Sequence, residues 1–94
     1  MEKYLIEVPH EATKSACVNA VRVFMQTGSH FLANADWGCH DGEHKAWLLV
    51  EVENKDQANQ ILPPLYRSEA KIIKLNTFTR EEMDNIEEAH LSEY

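Results

Sequence analysis

The spacing of apolar residues changes along the chain, and this change most constrains what the chain can fold into. Residues 3–8 alternate between two sides, which predicts a strand that ends at Pro9. Over about residues 11–27 the spacing becomes helical, and Gly28 is placed to form a left-handed C-terminal cap. The apolar stripe of this helix is formed by Ala16, Cys17, Ala20, Val21 and Phe24. We therefore expect Cys17 to be a small core residue.

The middle of the chain predicts a hairpin. Residues 31–37 and 46–52 each alternate in the manner of a strand, and His30 is expected to begin the first of them. Asp41 and Gly42 between the two segments form a typical hairpin turn. The second and third strands are therefore expected to be antiparallel neighbours.

The last third of the chain predicts a helix, a strand and a closing helix. The first helix starts at Asn54 and is expected to break, or to restart as a fresh turn, at Pro63-Pro64. Residues 70–78 read as the fourth strand. An acidic helix is predicted over 80–94, capped by Thr79. Its predicted inner face comprises Met83, Ile86, His90 and Tyr94.

The resulting order, βαββαβ, predicts a single α+β domain over residues 1–94. With right-handed crossovers this order favours the ferredoxin-like arrangement, a four-stranded antiparallel sheet of order 4-1-3-2 with both helices on one face. The third strand is apolar on both sides, since Trp47 and Leu49 alternate with the other apolar positions. A second copy is therefore expected to pack on the open face and form a homodimer.

Charge and composition narrow the range of partners. The net charge is -7, from 16 acidic and 9 basic residues, and six of the acids lie in the last fourteen residues. No cluster of Lys and Arg with interleaved aromatics is present, which argues against nucleic-acid binding. The sequence shows no signal peptide and no apolar stretch of membrane-spanning length, so we expect a cytoplasmic protein. In that reducing compartment a stabilising disulfide between Cys17 and Cys39 is not expected.

The predicted topology gathers residues that bind metals. His10 ends the first strand, Cys39 and His40 lie in the hairpin, and His44 starts the third strand, so all four are expected at one edge of the sheet. Imidazole nitrogen and thiolate sulfur are the usual ligands of zinc, nickel and copper. The sequence thus predicts a divalent transition metal, or a small ligand, at His10, Cys39 and His44. A fourth ligand is not evident, and the candidates are Asp41, Glu43 or a residue of the partner chain.

Other interpretations of this edge stay open. The histidines are equally consistent with solvated loop residues that have no chemical role. His10 or His44 would also suit a general acid or base acting on a small molecule in a dimer cavity, with Asp36 as the nearest carboxylate. A nucleophilic Cys39 would need an activating histidine. A structural or protein-interaction dimer without chemistry is the remaining alternative.

Four segments carry a resemblance to known proteins over nearly the whole chain. They are Pro9-His10, Gly38-Cys39-His40-Asp41-Gly42-Glu43-His44, Leu62-Pro63-Pro64-Leu65-Tyr66-Arg67 and Phe78-Thr79-Arg80-Glu81. On these residues the chain resembles an uncharacterised set of small bacterial proteins within the dimeric α+β barrel group. Other members of that group are muconolactone isomerase-like, antibiotic-biosynthesis monooxygenase-like and nickel-binding ferredoxin-like proteins. The resemblance implies a dimeric barrel and points to His10, Cys39 and His44. It implies less about activity, because relatives with established chemistry use different residues.

Overall fold

A computed structural model describes residues 1–85 of the chain. The described part is an α+β arrangement in which strands and helices alternate in nearly the predicted order. The elements are β1 (Glu2–Pro9), α1 (Lys14–Gln26), α2 (His30–Ala33), β2 (Asp36–Trp37), β3 (Lys45–Val52), α3 (Lys55–Ile61) and β4 (Lys71–Leu75). Short 3-10 turns span Cys39–Asp41 and Pro64–Tyr66, and residues 80–85 are helical.

The four strands form one antiparallel sheet of order β2-β3-β1-β4. This is the predicted order 4-1-3-2 read from the opposite edge, so the predicted sheet topology is confirmed. β1 lies between β3 and β4, and its pairing with β3 runs from Glu2 opposite Val52 to Pro9 opposite Lys45. This register determines which residues meet at the end of the two strands.

The core lies on one face of the sheet. Alternate side chains of β1 and β3 on this face are almost fully buried, and α1, α2 and α3 each contribute at least one buried residue to the same cluster or its margin. The buried residues are Tyr4, Ile6, Val8, Ala20, Phe24, Leu32, Ala46, Leu48, Val50, Ala58 and Leu62. His10 and His44 occupy the next alternate positions beyond Val8 and Ala46, so they extend this helix-covered face past the end of the core.

The predicted second strand is mostly wrong. Residues 30–33 form the short helix α2, and β2 is only two residues long. Ser29 caps α2 by accepting a hydrogen bond from the backbone N–H of Leu32. Leu32 is fully buried, whereas Phe31 is 38% exposed. The capping serine therefore decided this segment in favour of a helical turn.

Other local predictions are confirmed. Gly28 follows α1 with φ of +73°, as expected for a left-handed cap. The Asn54 side chain accepts from the N–H of Gln57, and the chain leaves the helix at Leu62 before Pro63. Of the predicted inner face of the last helix, Met83 is half exposed. Ile86, His90 and Tyr94 lie outside the described residues.

The face of the sheet away from the helices carries an apolar row. Leu49, Leu5 and Ile73 are paired across β3, β1 and β4, so they lie side by side. Leu49 is 67% exposed and Ile73 37% exposed. Across residues 1–85, none of the helices has the length and apolar character needed to cross a bilayer.

Candidate metal centre

The first and third strands bring two histidines together. The ladder between β1 and β3 continues past Pro9, because the backbone N–H of His10 donates to the carbonyl of His44 at 3.1 Å. The two imidazole rings are edge to face, with centroids 5.6 Å apart. The prediction that strand pairing makes these residues neighbours is confirmed.

Two glycines shape the hairpin so that Cys39 lies next to His10 and His44. The carbonyl of Gly38 accepts from the N–H groups of Asp41 and Glu43, which closes a tight turn. Gly42 ends the 3-10 turn with φ of +81°, a conformation that suits glycine. A Cβ atom on Gly38 would lie 2.7 Å from the Trp47 ring and 2.8 Å from the Glu43 carbonyl oxygen. Position 38 therefore requires glycine for close packing, although its φ is negative.

The candidate centre consists of His10, Cys39 and His44. Each offers one nitrogen or sulfur donor atom, and the three atoms lie within 4.8 Å of one another. Nε2 of His10 is 3.1 Å from Sγ of Cys39. All three residues are half-buried at the end of the helix-covered face. The predicted set of site residues is thus brought together in the structure.

A backbone carbonyl orients the His10 ring. Nδ1 of His10 lies 2.8 Å from the carbonyl oxygen of Glu11, and a carbonyl oxygen can only accept. The proton of the neutral ring is therefore on Nδ1, which leaves a lone pair on Nε2 facing Cys39. Metal-binding histidines commonly have such a second hydrogen bond, because it fixes both the tautomer and the ring orientation.

His44 offers a buried atom without a partner. Its Nδ1 has no hydrogen-bond partner within residues 1–85, although it is shielded from solvent. A buried polar atom left unpaired costs about 1–3 kcal/mol, so this nitrogen needs an explanation. Coordination of a metal through Nδ1 would be one way to satisfy it, and the donor types of the cluster fit a transition metal.

Cys17 is a neighbour of the centre that the sequence did not reveal. Its Sγ donates to Sγ of Cys39 at 2.7 Å, and the side chain is half-buried. The prediction that Cys17 is a core residue is therefore wrong. It belongs to the stripe of α1 that contains Ala20 and Phe24, but it lies about one turn nearer the N-terminus and so reaches the hairpin. Both cysteines are free thiols in this structure.

These contacts affect the acidity of Cys39. Burial raises the pKa of the Cys39 thiol to about 11, and the hydrogen bond from Cys17 acts in the same direction. The thiol form therefore prevails near neutral pH in the metal-free protein. Because Nδ1–H of His10 donates to the carbonyl of Glu11, Nε2 of the same ring is left to accept a hydrogen bond. The Cys17 thiol therefore donates to Cys39, and the Cys39 thiol donates to Nε2 of His10.

The other predicted candidates do not join the cluster. Asp41 and Glu43, considered as fourth ligands, are exposed and lie outside the group of donor atoms. His40 is also exposed on the hairpin turn. Asp36, considered as an orienting carboxylate, is exposed and makes no hydrogen bond to either site histidine within the described part of the chain.

A cleft of about 630 Å³ borders the centre on the side of α1. The residues that line it include His10, Glu11, Leu65, Tyr66 and Glu69. The cleft is open to solvent on one side, unlike the closed cavity expected for an enzyme acting within a barrel. It gives a small molecule access to His10.

Comparison of the chain with protein-family models, curated protein sequences and solved structures found no significant match. The resemblance to dimeric α+β barrel proteins therefore stays a prediction. The case for function depends on the geometry of the centre.

Proposed function

We propose that this protein binds a divalent transition metal ion through His10, Cys39 and His44. The observation that carries the proposal is the convergence of three nitrogen and sulfur donors within 4.8 Å. They come from the ends of two paired strands and from the hairpin, so the fold holds them together. The orientation of His10 by Glu11 and the unpaired Nδ1 of His44 support the same conclusion.

The donor types favour zinc, nickel or copper. Two imidazoles and one thiolate suit these ions, whereas magnesium and calcium prefer oxygen ligands. Three protein ligands also leave a coordination position for water, a small ligand or a further side chain. The adjacent cleft supplies a route by which a small ligand would approach His10.

We also propose that the chain forms a ferredoxin-like homodimer, as in a dimeric α+β barrel, through the open face of the sheet. The apolar row of Leu5, Leu49 and Ile73 is the centre of this surface. Charged residues flank this row on the same face of the sheet. Lys3 is paired with Glu51 on one flank, and Glu7 is paired with Lys71 on the other. Both flanks carry both signs of charge, so the surface is suited to meeting a second copy of itself.

Catalysis without a cofactor is the second candidate function. The cleft beside His10 has room for a small organic molecule, and Tyr66 is among the residues that line it. The open cleft, and the lack of a hydrogen bond between Asp36 and either site histidine within residues 1–85, give this candidate less support than the proposed metal site. It predicts turnover that is insensitive to metal chelators.

The test of metal binding uses tag-free protein, because a histidine tag would bind the same ions. The protein is stripped with a chelator, and thermal unfolding is recorded with zinc, nickel or copper under reducing conditions. Binding to the native state stabilises it by about 4 kcal/mol when free metal is 1,000 times the dissociation constant. We expect a clear rise in melting temperature and one bound ion per chain by metal analysis.

Two histidine variants make the test specific. His44→Ala removes a proposed ligand, and His40→Ala removes an exposed histidine only four residues away. We expect His44→Ala to lose both the bound ion and the thermal shift, and His40→Ala to keep them. Equal behaviour of the two variants, or no shift of the wild type with any of the three ions, would contradict the proposal.

A further inference from the structure

The two cysteines of the chain are in contact although 21 residues separate them in sequence. Cys17 lies in the first turns of α1 and Cys39 in the 3-10 turn of the hairpin, and their Sγ atoms are 2.7 Å apart. Both residues are half-buried, so neither is sealed inside the core. The metal proposal uses only Cys39, and it leaves the position of Cys17 unexplained.

We propose that Cys17 and Cys39 form a reversible disulfide, and that this bond and metal binding at Cys39 exclude one another. Cys39 is shared by the two arrangements, because its Sγ touches both Nε2 of His10 and Sγ of Cys17. The statement about metal release rests on the proposed metal-binding function. The formation of the disulfide does not depend on it.

The required movement is small. A disulfide has a sulfur–sulfur distance of about 2.05 Å, so the two Sγ atoms need to approach by well under 1 Å. Side-chain rotation in a short 3-10 turn and in the N-terminal part of a helix can supply such a change without moving the sheet. Strand pairing at His10 and His44 is therefore retained in the oxidised form.

The reaction is a thiol–disulfide exchange with a low-molecular-weight disulfide such as oxidised glutathione. The thiolate of one cysteine attacks the small disulfide, which forms a mixed disulfide and releases one small thiol. The second cysteine then attacks the protein sulfur of the mixed disulfide, forming the Cys17–Cys39 bond and releasing the second small thiol. The two protein thiols are oxidised, the small disulfide is reduced, and the two protons pass to the two released thiols.

Oxidation affects the metal because only a thiolate is a strong ligand. Sulfur in a disulfide carries no negative charge, so it no longer holds a divalent ion as thiolate does. Cys17 itself lies outside the group of mutually close donor atoms formed by His10, Cys39 and His44. We therefore assign Cys17 the role of redox partner and not that of fourth ligand.

The first experiment detects the bond in metal-free wild-type protein. Trypsin cleaves after Lys14, Arg22 and Lys45, which places Cys17 in peptide 15–22 and Cys39 in peptide 23–45. After incubation with oxidised glutathione and alkylation of free thiols, we expect these two peptides to be linked and the intact chain to lose the mass of two hydrogens. Stable glutathione adducts without linked peptides, or disulfide-linked dimers alone, would overturn the inference.

The second experiment follows zinc during oxidation in the wild type and in Cys17→Ser. The release of zinc to a chromogenic chelator is recorded after addition of oxidised glutathione. We expect the wild type to release its zinc and to bind it again after reduction. Cys17→Ser is expected to bind zinc with nearly wild-type affinity under reducing conditions. Because this variant cannot form the internal disulfide, oxidised glutathione should not release its zinc through that bond. A loss of zinc affinity in Cys17→Ser beyond about 10- to 100-fold would make Cys17 a ligand and overturn the assigned role.

The two proposals fail in different ways. If the linked peptides form but the reduced wild type binds none of the tested ions, the metal proposal fails and the disulfide remains. If reduced protein binds zinc but oxidised glutathione never links the peptides, the redox inference fails and the metal proposal remains. Zinc retained in a protein whose peptides are linked would contradict the mutual exclusion.

Discussion

Leu48 and Leu49 are neighbours on β3, yet Leu48 is 3% exposed and Leu49 67% exposed. They belong to the two faces of the same sheet. The helix-covered face is filled by core side chains and ends in His10 and His44, whereas the open face presents an apolar row to solvent. This difference teaches that the packed face of the sheet positions the His10, Cys39 and His44 cluster, while the open face leaves apolar side chains exposed.

The largest expected change in stability is found by truncating each of the two leucines separately, which compares the two faces directly. Leu48→Ala leaves a cavity in the core and is expected to lower the free energy of unfolding by about 2–5 kcal/mol. Leu49→Ala should change the unfolding of a dilute monomer by less than about 0.5 kcal/mol, since surface changes are usually this small. Urea unfolding at low protein concentration measures both values.

The same pair of variants tests the dimer. If the open face joins two copies, Leu49→Ala should shift the wild-type dimer towards monomer in analytical ultracentrifugation, because Leu49 lies in the apolar row. A wild-type protein that is monomeric at every accessible concentration would contradict the dimer proposal. The metal measurements would be unaffected, because the centre is on the other side of the sheet.

A smaller effect is expected from the polar contact on the open face. The indole Nε1 of Trp47 donates to the carboxylate of Glu7 at 3.1 Å, and Lys45 lies 3.7 Å from the same group. Trp47→Phe removes this donor and should cost about 0.5–1.5 kcal/mol of unfolding free energy. Glu7→Gln retains an acceptor oxygen for Trp47 and should cost less. If Glu7→Gln costs more than Trp47→Phe, charge attraction to Lys45 outweighs the indole hydrogen bond.

The sequence predicted β1 correctly, but it did not predict the segment that follows α1. Alternation and a terminal proline made β1 predictable. The proximity of His10 and His44 then followed from the pairing of β1 with β3. Residues 31–37 also alternate, but the capping Ser29 and the burial of Leu32 make the first part helical. Alternation over residues 31–37 did not outweigh the helix cap at Ser29.

Cys17 shows a second limit of prediction from sequence. Helical periodicity correctly places it on the same side of α1 as Ala20 and Phe24. Periodicity gives no information on how far the helix extends beyond the end of the sheet, and this offset decides whether Cys17 meets the core or the hairpin. The motif-based resemblance likewise pointed to Cys39 but not to its partner.

The smallest effect is expected for the exposed ion pair between Glu2 and Lys74, whose charged atoms are 2.6 Å apart. Lys74 lowers the pKa of Glu2 from its ordinary value of 4.5, and Glu2 raises the pKa of Lys74 from 10.5. The contribution of the pair is therefore present between these values. It is lost as the pH falls through the lowered pKa of Glu2 or rises through the raised pKa of Lys74.

Lys74→Met should barely change thermal stability at neutral pH, because solvent and salt screen an exposed pair. The difference from the wild type should shrink further at pH 3 and in high salt. Scanning calorimetry across pH measures this difference. A large difference that persists at pH 3 would contradict a role for the ion pair, because the attraction to Lys74 weakens as Glu2 becomes protonated.

The position of His44 opposite His10 has a consequence for chains that pair incorrectly. Successive residues of a strand point to opposite faces, so a slip of β3 by one residue against β1 would turn His44 towards the open face. Such a chain would lose the core and the proximity of His44 to His10 in the same step. A metal ion bound at the proposed centre would stabilise only the native register, because only that register brings the two imidazoles together.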